Sequence, residues 1–361
     1  MKHHLIPSFF SLLLFISCSK SSAPDSTSTP SDSVVTVAGA GRGYLNGNTV
    51  EAAFNYPTGV AIDKAGNIYV TDQANHRVRK ISVQGQVTTL AGNNYQTFAD
   101  GQGEDASFNN PQGITIDANG NLFVADKSNH RIRKITPDGI VSTVAGWDAG
   151  YADGSLTESR FSGPTGIAVA ANGDLIVSEY NNNRIRRISL ATNTVNTIAG
   201  NGAADFKNGT ALSASFNKPD GIAIDKSGNI YVSDDYNHLI RKISADGIVS
   251  TIAGQPKSIG TLDGAASSAF LCGPRGLIID ENDNLFFSDF GNNKIRKITT
   301  SGVVSTFAGT GKTQASGFGS FLDGPVEKAE FSWPTGLAFD NEGNIIVADQ
   351  ANCKIRKIVV H

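Results

Sequence analysis

The sequence predicts an all-β chain, a six-bladed β-propeller of four-stranded blades. Three observations carry this. A Pro-x-Gly phrase recurs at Pro57, Pro111, Pro164, Pro219, Pro274 and Pro334, about 53 to 60 residues apart, a period in the range of propeller blades or slightly above it. Within each period the apolar residues form short runs rich in Val, Ile and aromatics, broken by Gly and Asx turns, which reads as strands. The last copy stops at His361 after its third run, and the missing run, of the type Val-x-Thr-Val-Ala-Gly, stands at the other end as Val35–Gly39. The N-terminal run is therefore expected to supply the outer strand of the last blade, closing the ring and removing an open sheet edge.

Taken in order, residues 1–18 stand apart from the fold. Lys2, His3 and His4 precede the apolar run Leu5–Ile16, which is too short for a permanent spanning helix. The run ends at Phe15-Ile16-Ser17-Cys18. This resembles a bacterial lipobox, with Phe15 where that family prefers Leu, and the resemblance implies a lipid on Cys18. Residues 19–33 are rich in Ser, Thr and Pro and almost free of apolar side chains, so they are expected to form a disordered tether. Residues 34–361 are the propeller. In its first copy the expected strands are Gly59–Asp63, Asn67–Asp72, His76–Ser82 and Val87–Gly92. Asp63-Lys64-Ala65-Gly66-Asn67 reads as a hairpin loop, with Asp capping the turn and Gly66 supplying positive φ. Asp72–Asn75 is a second turn, and Gly85 marks a third. The runs lack clean apolar–polar alternation, as expected of sheets buried on both faces between neighbouring blades.

A second phrase links the blades. Asn46-Gly47 leads to Phe54, Asp100-Gly101 to Phe108, Asp153-Gly154 to Phe161, Asn208-Gly209 to Phe216, Asp263-Gly264 to Phe270 and Asp323-Gly324 to Phe331. Its regularity predicts a turn followed by a Phe tucked between blades. Arg79, Arg133, Arg186, Arg241, Arg296 and Arg356 recur in equivalent places, as do Asp72, Asp126, Glu179, Asp234, Asp289 and Asp349. Residues present in every copy belong to the fold, so these are expected to pair.

A net charge of −3 argues against a nucleic-acid partner, as does export. Beyond Cys18 only Cys272 and Cys353 remain, which is no disulfide framework, although one bridge between them is open.

The phrase Asp72…Asn75-His76-Arg77-Val78-Arg79-Lys80-Ile81, repeated as Asp126…Asn129-His130-Arg131-Ile132-Arg133-Lys134-Ile135, resembles the NHL repeat. The longer unit, from Val34 to His361, is similar to NHL repeats of the teneurin type and of bacterial secreted proteins. The resemblance is specific for fold; the family includes enzymes, RNA binders and adhesion modules.

Function is sought where the repeated frame holds and the residue changes. The loops before the first strand and between the second and third strands open on one face, which in propellers usually carries function. After the repeated acid stand Gln73, Lys127, Tyr180, Asp235, Phe290 and Gln350; inside Pro-x-Gly stand Thr58, Gln112, Thr165, Asp220, Arg275 and Thr335. The departures gather on blades three to five: Tyr180, Asp220, Asp235, Tyr236, Arg275 and Phe290. Aromatic rings beside opposed charges suit a protein, peptide or glycan ligand. The leading expectation is thus an exported, lipid-anchored, monomeric propeller that binds such a ligand without covalent chemistry at the bacterial cell envelope, with the outer membrane as the expected site. The alternative is a metal-dependent enzyme using the central channel. In the peptidyl-hydroxyglycine amidating lyases, a related six-bladed fold, the NHL His position on alternate blades holds zinc; here that resemblance implies His130, His238 and Cys353. A gluconolactonase-like lactone hydrolase would instead use Glu179 with Asn182 and Asn183 around a metal such as calcium. An enzyme should gather its odd residues at the axis, and a binder should spread them over the rim.

Overall fold

Proline opens each blade because a strand's first residue need not donate to the ladder. In the computed structural model, which describes residues 1, 31–313 and 319–361, the innermost strands are Pro57–Ile62, Pro111–Ile116, Pro164–Val169, Pro219–Ile224, Pro274–Ile279 and Pro334–Phe339. Residues 31–361 form one unit. The predicted signal segment and nearly all of the tether, Cys18 included, lie outside the described residues.

Blade four shows the pattern. Pro219–Ile224 is followed by Ile230–Asp234, Leu239–Ile243 and Ile248–Ala253, each antiparallel to the one before. A fifth strand of two residues, Gly209–Thr210, pairs outside the fourth. The expectation of four strands per blade is corrected to five among the described residues. The added strand comes from the Asp/Asn-Gly phrase, which runs extended along the blade's outer edge and pairs groups that would otherwise be open. The expected His76–Ser82 strand is also shorter, Arg77–Ile81, because Gln73–Asn75 form a 3-10 turn that ends in left-handed His76.

Ring closure is as predicted. Ser33–Ala38 pairs antiparallel with Lys354–Val359, with Val34 opposite Ile358 and Thr36 opposite Arg356. The innermost strands neighbour one another in order, and the sixth meets the first.

The core lies between blades rather than within one. Every second strand is buried along its whole length, from Ile68–Asp72 to Ile345–Asp349. Six apolar clusters fill the interfaces between neighbouring blades. Phe54, Phe108, Phe161, Phe216 and Phe331 are fully buried in five of them. In the sixth the expected Phe270 is replaced by Leu271, which is fully buried while Phe270 is not. The physical register is set by the third residue before the Pro, which is Leu271 before Pro274 and Phe in the other five blades.

The recurrent arginines pair as predicted and do more. Arg241 donates to Asp234 at 2.7 Å, to the Ser215 and Lys207 carbonyls at 3.0 and 2.9 Å, and to Asn208 Oδ1 at 2.9 Å. It thereby ties the second strand to the Asn208-Gly209 phrase. Arg133 does the same with Asp126 and Asp100, and Arg186 with Glu179 and Asp153. The six guanidinium groups have no exposed surface.

The Gly of Pro-x-Gly is explained at the axis. A Cβ on Gly166 would overlap the Asp220 carbonyl oxygen, and one on Gly221 the Arg275 carbonyl oxygen. Only a residue without a side chain lets six innermost strands converge this closely.

Candidate functional site

The convergence of the innermost strands places the middle residue of each Pro-x-Gly around a central channel. Thr58, Gln112, Thr165, Asp220, Arg275 and Thr335 line it together. Its cavity volume is about 100 Å³, smaller than most drug-sized ligand sites and of a size for a compact ligand or part of one. The 3-10 turns and residues between second and third strands sit over the start of the innermost strands. The N–H of Tyr236, for instance, donates to the Asn217 carbonyl at 3.1 Å and that of Tyr180 to the Gly163 carbonyl at 3.0 Å. Each blade thus contributes its residue after the repeated acid to the wall above the channel mouth.

The six predicted residues gather there, Asp235, Arg275 and Phe290 in one group of contacts, Tyr180 and Tyr236 in another, and Asp220 in the channel itself. Arg275 Nε lies 3.4 Å from Asp235 Oδ2. Its guanidinium lies over the Phe290 ring at 3.5 Å, and Phe290 stacks on Trp333 at 5.3 Å. On the other side, Tyr180 and Tyr236 meet edge to face at 6.2 Å. The ammonium groups of Lys127 and Lys218 sit 4.5 and 4.9 Å from the Tyr180 ring centre. Asp220 lines the channel itself and feels the charges of Arg275 and Lys127. Tyr236 is the outlying member, 55% exposed. The predicted rim of blades three to five is therefore a funnel at the axis, extended to Lys127 on blade two and Trp333 on blade six. Lys127 belongs to the column after the repeated acid; Trp333 and Lys218 occupy a third column, the residue before Pro, whose variation is equally readable.

Electrostatics in the funnel follow from burial. Asp235 is pushed up to about 7, mainly by burial, against the pull of Arg275. Burial likewise raises Asp220, opposed by Arg275 and Lys127. Burial lowers Lys127, and the Asp220 charge works the other way. The Tyr180 hydroxyl is raised by burial and then by the Asp235 charge.

The residues of the metal alternatives do not fit a metal. His130 Nδ1 accepts the Gly163 N–H and His238 Nδ1 the Gly273 N–H, both at 3.1 Å. An accepting Nδ1 puts the proton on Nε2, which leaves no ring lone pair for zinc. On the blades with Asn at this place, Asn183 Oδ1 accepts the Lys218 N–H at 3.0 Å and Asn293 Oδ1 the Trp333 N–H at 2.9 Å. The column is a bracket from each blade to the next, which is why His and Asn alternate freely. Cys353 is buried in the same column, and Cys272 and Cys353 are both free thiols. Glu179 is consumed by Arg186 at 2.7 Å, the Ser162 N–H at 2.8 Å and Asn182 at 2.8 Å. Among the described residues no group of three or more His, Cys, Asp or Glu is placed to hold an ion.

Comparison with known families agrees with this frame. The NHL repeat model matches residues 54–81, 108–135 and 161–188. The teneurin NHL domain model matches residues 199–262 and 256–351. The chain is an NHL-repeat β-propeller. This NHL propeller is 30% identical over 324 residues to Protein SUPPRESSOR OF QUENCHING 1, chloroplastic, of Arabidopsis thaliana, covering 84% of this chain and 30% of that protein. It is 28% identical over 340 residues to NHL repeat-containing protein 2 of Bos taurus, covering 83% of this chain and 46% of that protein. The chain thus spans less than half the length of both relatives. The structure of an auxiliary nutrient binding protein from Bacteroides thetaiotaomicron matches with a TM-score of 0.68 at 18% identity, over 91% of this chain and 76% of that one. At that identity the likeness shows the propeller fold alone.

Proposed function

We propose that this chain is a non-covalent binding module whose ligand enters the funnel over blades two to six. The observation that carries the reading is the convergence of the non-repeated residues: Lys127, Tyr180, Asp235 and Phe290, which follow the repeated acid on blades two to five, meet Asp220 and Arg275, the Pro-x-Gly residues of blades four and five, at one channel mouth. Residues that the fold does not require, gathered in a concave site with aromatic walls and buried or half-buried charges, describe a binding pocket. A structural neighbour that bears the name of a nutrient binding protein supports the same reading. The enzyme alternative loses its metal ligands to structural hydrogen bonds and ion pairs.

The test is equilibrium binding to defined panels of glycans, peptides and small nutrients. Changing Tyr236, Arg275 and Phe290 together to Ala should weaken the responding ligand at least about tenfold, or ~1.4 kcal/mol, with the far-UV circular dichroism unchanged. Undiminished binding by a folded triple variant would sink the reading.

The reading includes export and a lipid on Cys18, in keeping with the lipobox-like end of the leader. Cys18→Ala should move the protein from the membrane fraction to the soluble fraction of an expressing bacterium. Continued retention in the membrane fraction would rule the anchor out.

A further inference from the structure

The unsatisfied groups of the funnel define what its ligand must bring. The aromatic faces are largely taken. Lys127 and Lys218 lie over Tyr180, and Phe290 sits against both the Arg275 guanidinium and the Trp333 ring. What remains is charge. The Asp235 side chain is 5% exposed, yet its Oδ2 has no hydrogen bond and only the loose approach of Arg275 Nε, which is itself buried and without a hydrogen bond. The Asp220 carboxylate and the Lys127 ammonium make neither a hydrogen bond nor an ion pair among the described residues, although each feels the other's charge. Asp235 is buried, whereas Asp220, Lys127 and Arg275 are half-buried; a charge partly stripped of water in this way gains when a counter-charge or a hydrogen bond reaches it.

The arrangement has a definite polarity. Two cations, Lys127 and Arg275, come from blades two and five; two carboxylates, Asp220 and Asp235, come from blade four. Lys218, the fifth charge of the funnel, is already engaged, its ammonium donating to Asn181 Oδ1 at 3.3 Å and lying over Tyr180; the other four sum to no net charge. An anionic or cationic ligand would answer one pair and leave the other worse off. A neutral sugar would offer hydroxyls but no counter-charge, and would meet ring faces already covered by cations.

We infer that the funnel takes a small zwitterion, an α-amino acid with its ammonium and carboxylate on one carbon. The carboxylate is held by Lys127 and Arg275, which donate charge-assisted hydrogen bonds, and the ammonium by Asp220 and Asp235. The amino-acid side chain is left towards the open mouth, where Tyr236 is exposed. This inference rests on the binding reading above and names its ligand class.

The test is titration calorimetry of the full chain with L-leucine, L-phenylalanine and L-glutamine. N-acetyl-L-phenylalanine amide serves as a charge-blocked probe, and glucose and maltose as neutral ones. At least one free amino acid should bind with a Kd below about 1 mM. The blocked probe should bind about a hundredfold more weakly than L-phenylalanine, since it lacks both charges. Lys127→Met and Asp220→Asn should each weaken the amino acid about ten- to a hundredfold. Circular dichroism and the melting temperature show whether each variant is folded, and Asp220→Asn keeps the shape of the side chain. Equal binding of free and blocked probes, or silence from all three amino acids, overturns the zwitterion. A saccharide or peptide that binds Asp220→Asn normally, but not the triple Ala variant, overturns the zwitterion and leaves the binding reading standing. A ligand that the folded triple variant binds normally overturns both.

Discussion

Arg241→Met lowers the unfolding free energy by about 3–5 kcal/mol, the cost of leaving a buried carboxylate without its partner. The variant keeps most of the side chain's volume and removes all four hydrogen bonds. Asp234 then retains only the Asn217 N–H at 2.7 Å and Asn237 Nδ2 at 2.8 Å. The Ser215 and Lys207 carbonyls lose a donor as well. Chemical denaturation followed by circular dichroism measures the loss. A midpoint shift worth less than about 1 kcal/mol would mean that the clamp is not structural. Asp234→Asn added to Arg241→Met should restore part of the stability, because the stranded charge is gone.

The deficit should also depend on pH. Asp234 is raised to about 6 by burial, against the pull of Arg241, and losing Arg241 raises it further. The group's folded pKa lies above its ordinary 3.8, so the folded state holds its proton more tightly than the unfolded state. The parent bears a smaller form of this penalty as pH rises from about 4 through 6; the variant's extra deficit opens above about 6, where Asp234 ionises in the folded parent but not yet in the folded variant, and is full above the variant's higher folded pKa. The charge part of the deficit should therefore be absent below about pH 6 and grow through neutrality, while the part due to the lost carbonyl hydrogen bonds stays constant.

Gly221→Ala costs about 3 kcal/mol, at the upper end of what overpacking does, because the obstacle is backbone. The new Cβ overlaps the Arg275 carbonyl oxygen and lies 3.1 Å from the Leu277 nitrogen. Neither atom can turn away as a side chain would. The same movement displaces Arg275, so the variant should lose ligand affinity together with stability. An Ala variant that melts with the parent would show that the ring of innermost strands is more pliable than its close approach implies. The hydroxyl of Ser233 makes the site tighter still. It accepts the Gly221 N–H at 2.6 Å and donates to the Arg275 carbonyl at 2.6 Å, so blades four and five are joined where the glycine permits contact.

Much of this is legible in the chain. A repeat multiplies weak local signals: one Pro-x-Gly says little, whereas six at one period fix blade number and order. The Arg column and the acid column pair on residue chemistry alone, since two opposite charges present in every blade have few other places to go when buried. The second partner of each Arg is not legible in the same way. Asn46 and Asp100 look like turn formers, and only their position beside the guanidinium reveals them as acceptors at 2.8 and 2.7 Å. The His column misleads for a related reason. Its alternation of His, Asn and Cys is puzzling as a ligand set and simple as a row of inter-blade brackets, because His Nδ1 and Asn Oδ1 can each accept one N–H.

The propeller, its closure by the N-terminal strand and the six buried ion pairs are therefore written in the amino-acid order, because periodicity and the residue chemistry within one repeat suffice to specify them. The site arises only on folding. Lys127, Asp220, Arg275 and Trp333 belong to different blades, far apart along the chain, and nothing local marks them as neighbours. They meet because the glycines let the innermost strands close around the axis, and closure brings equivalent positions of every blade to a single mouth. The same geometry turns a predicted rim into a funnel and brings half-buried charges of both signs together in it.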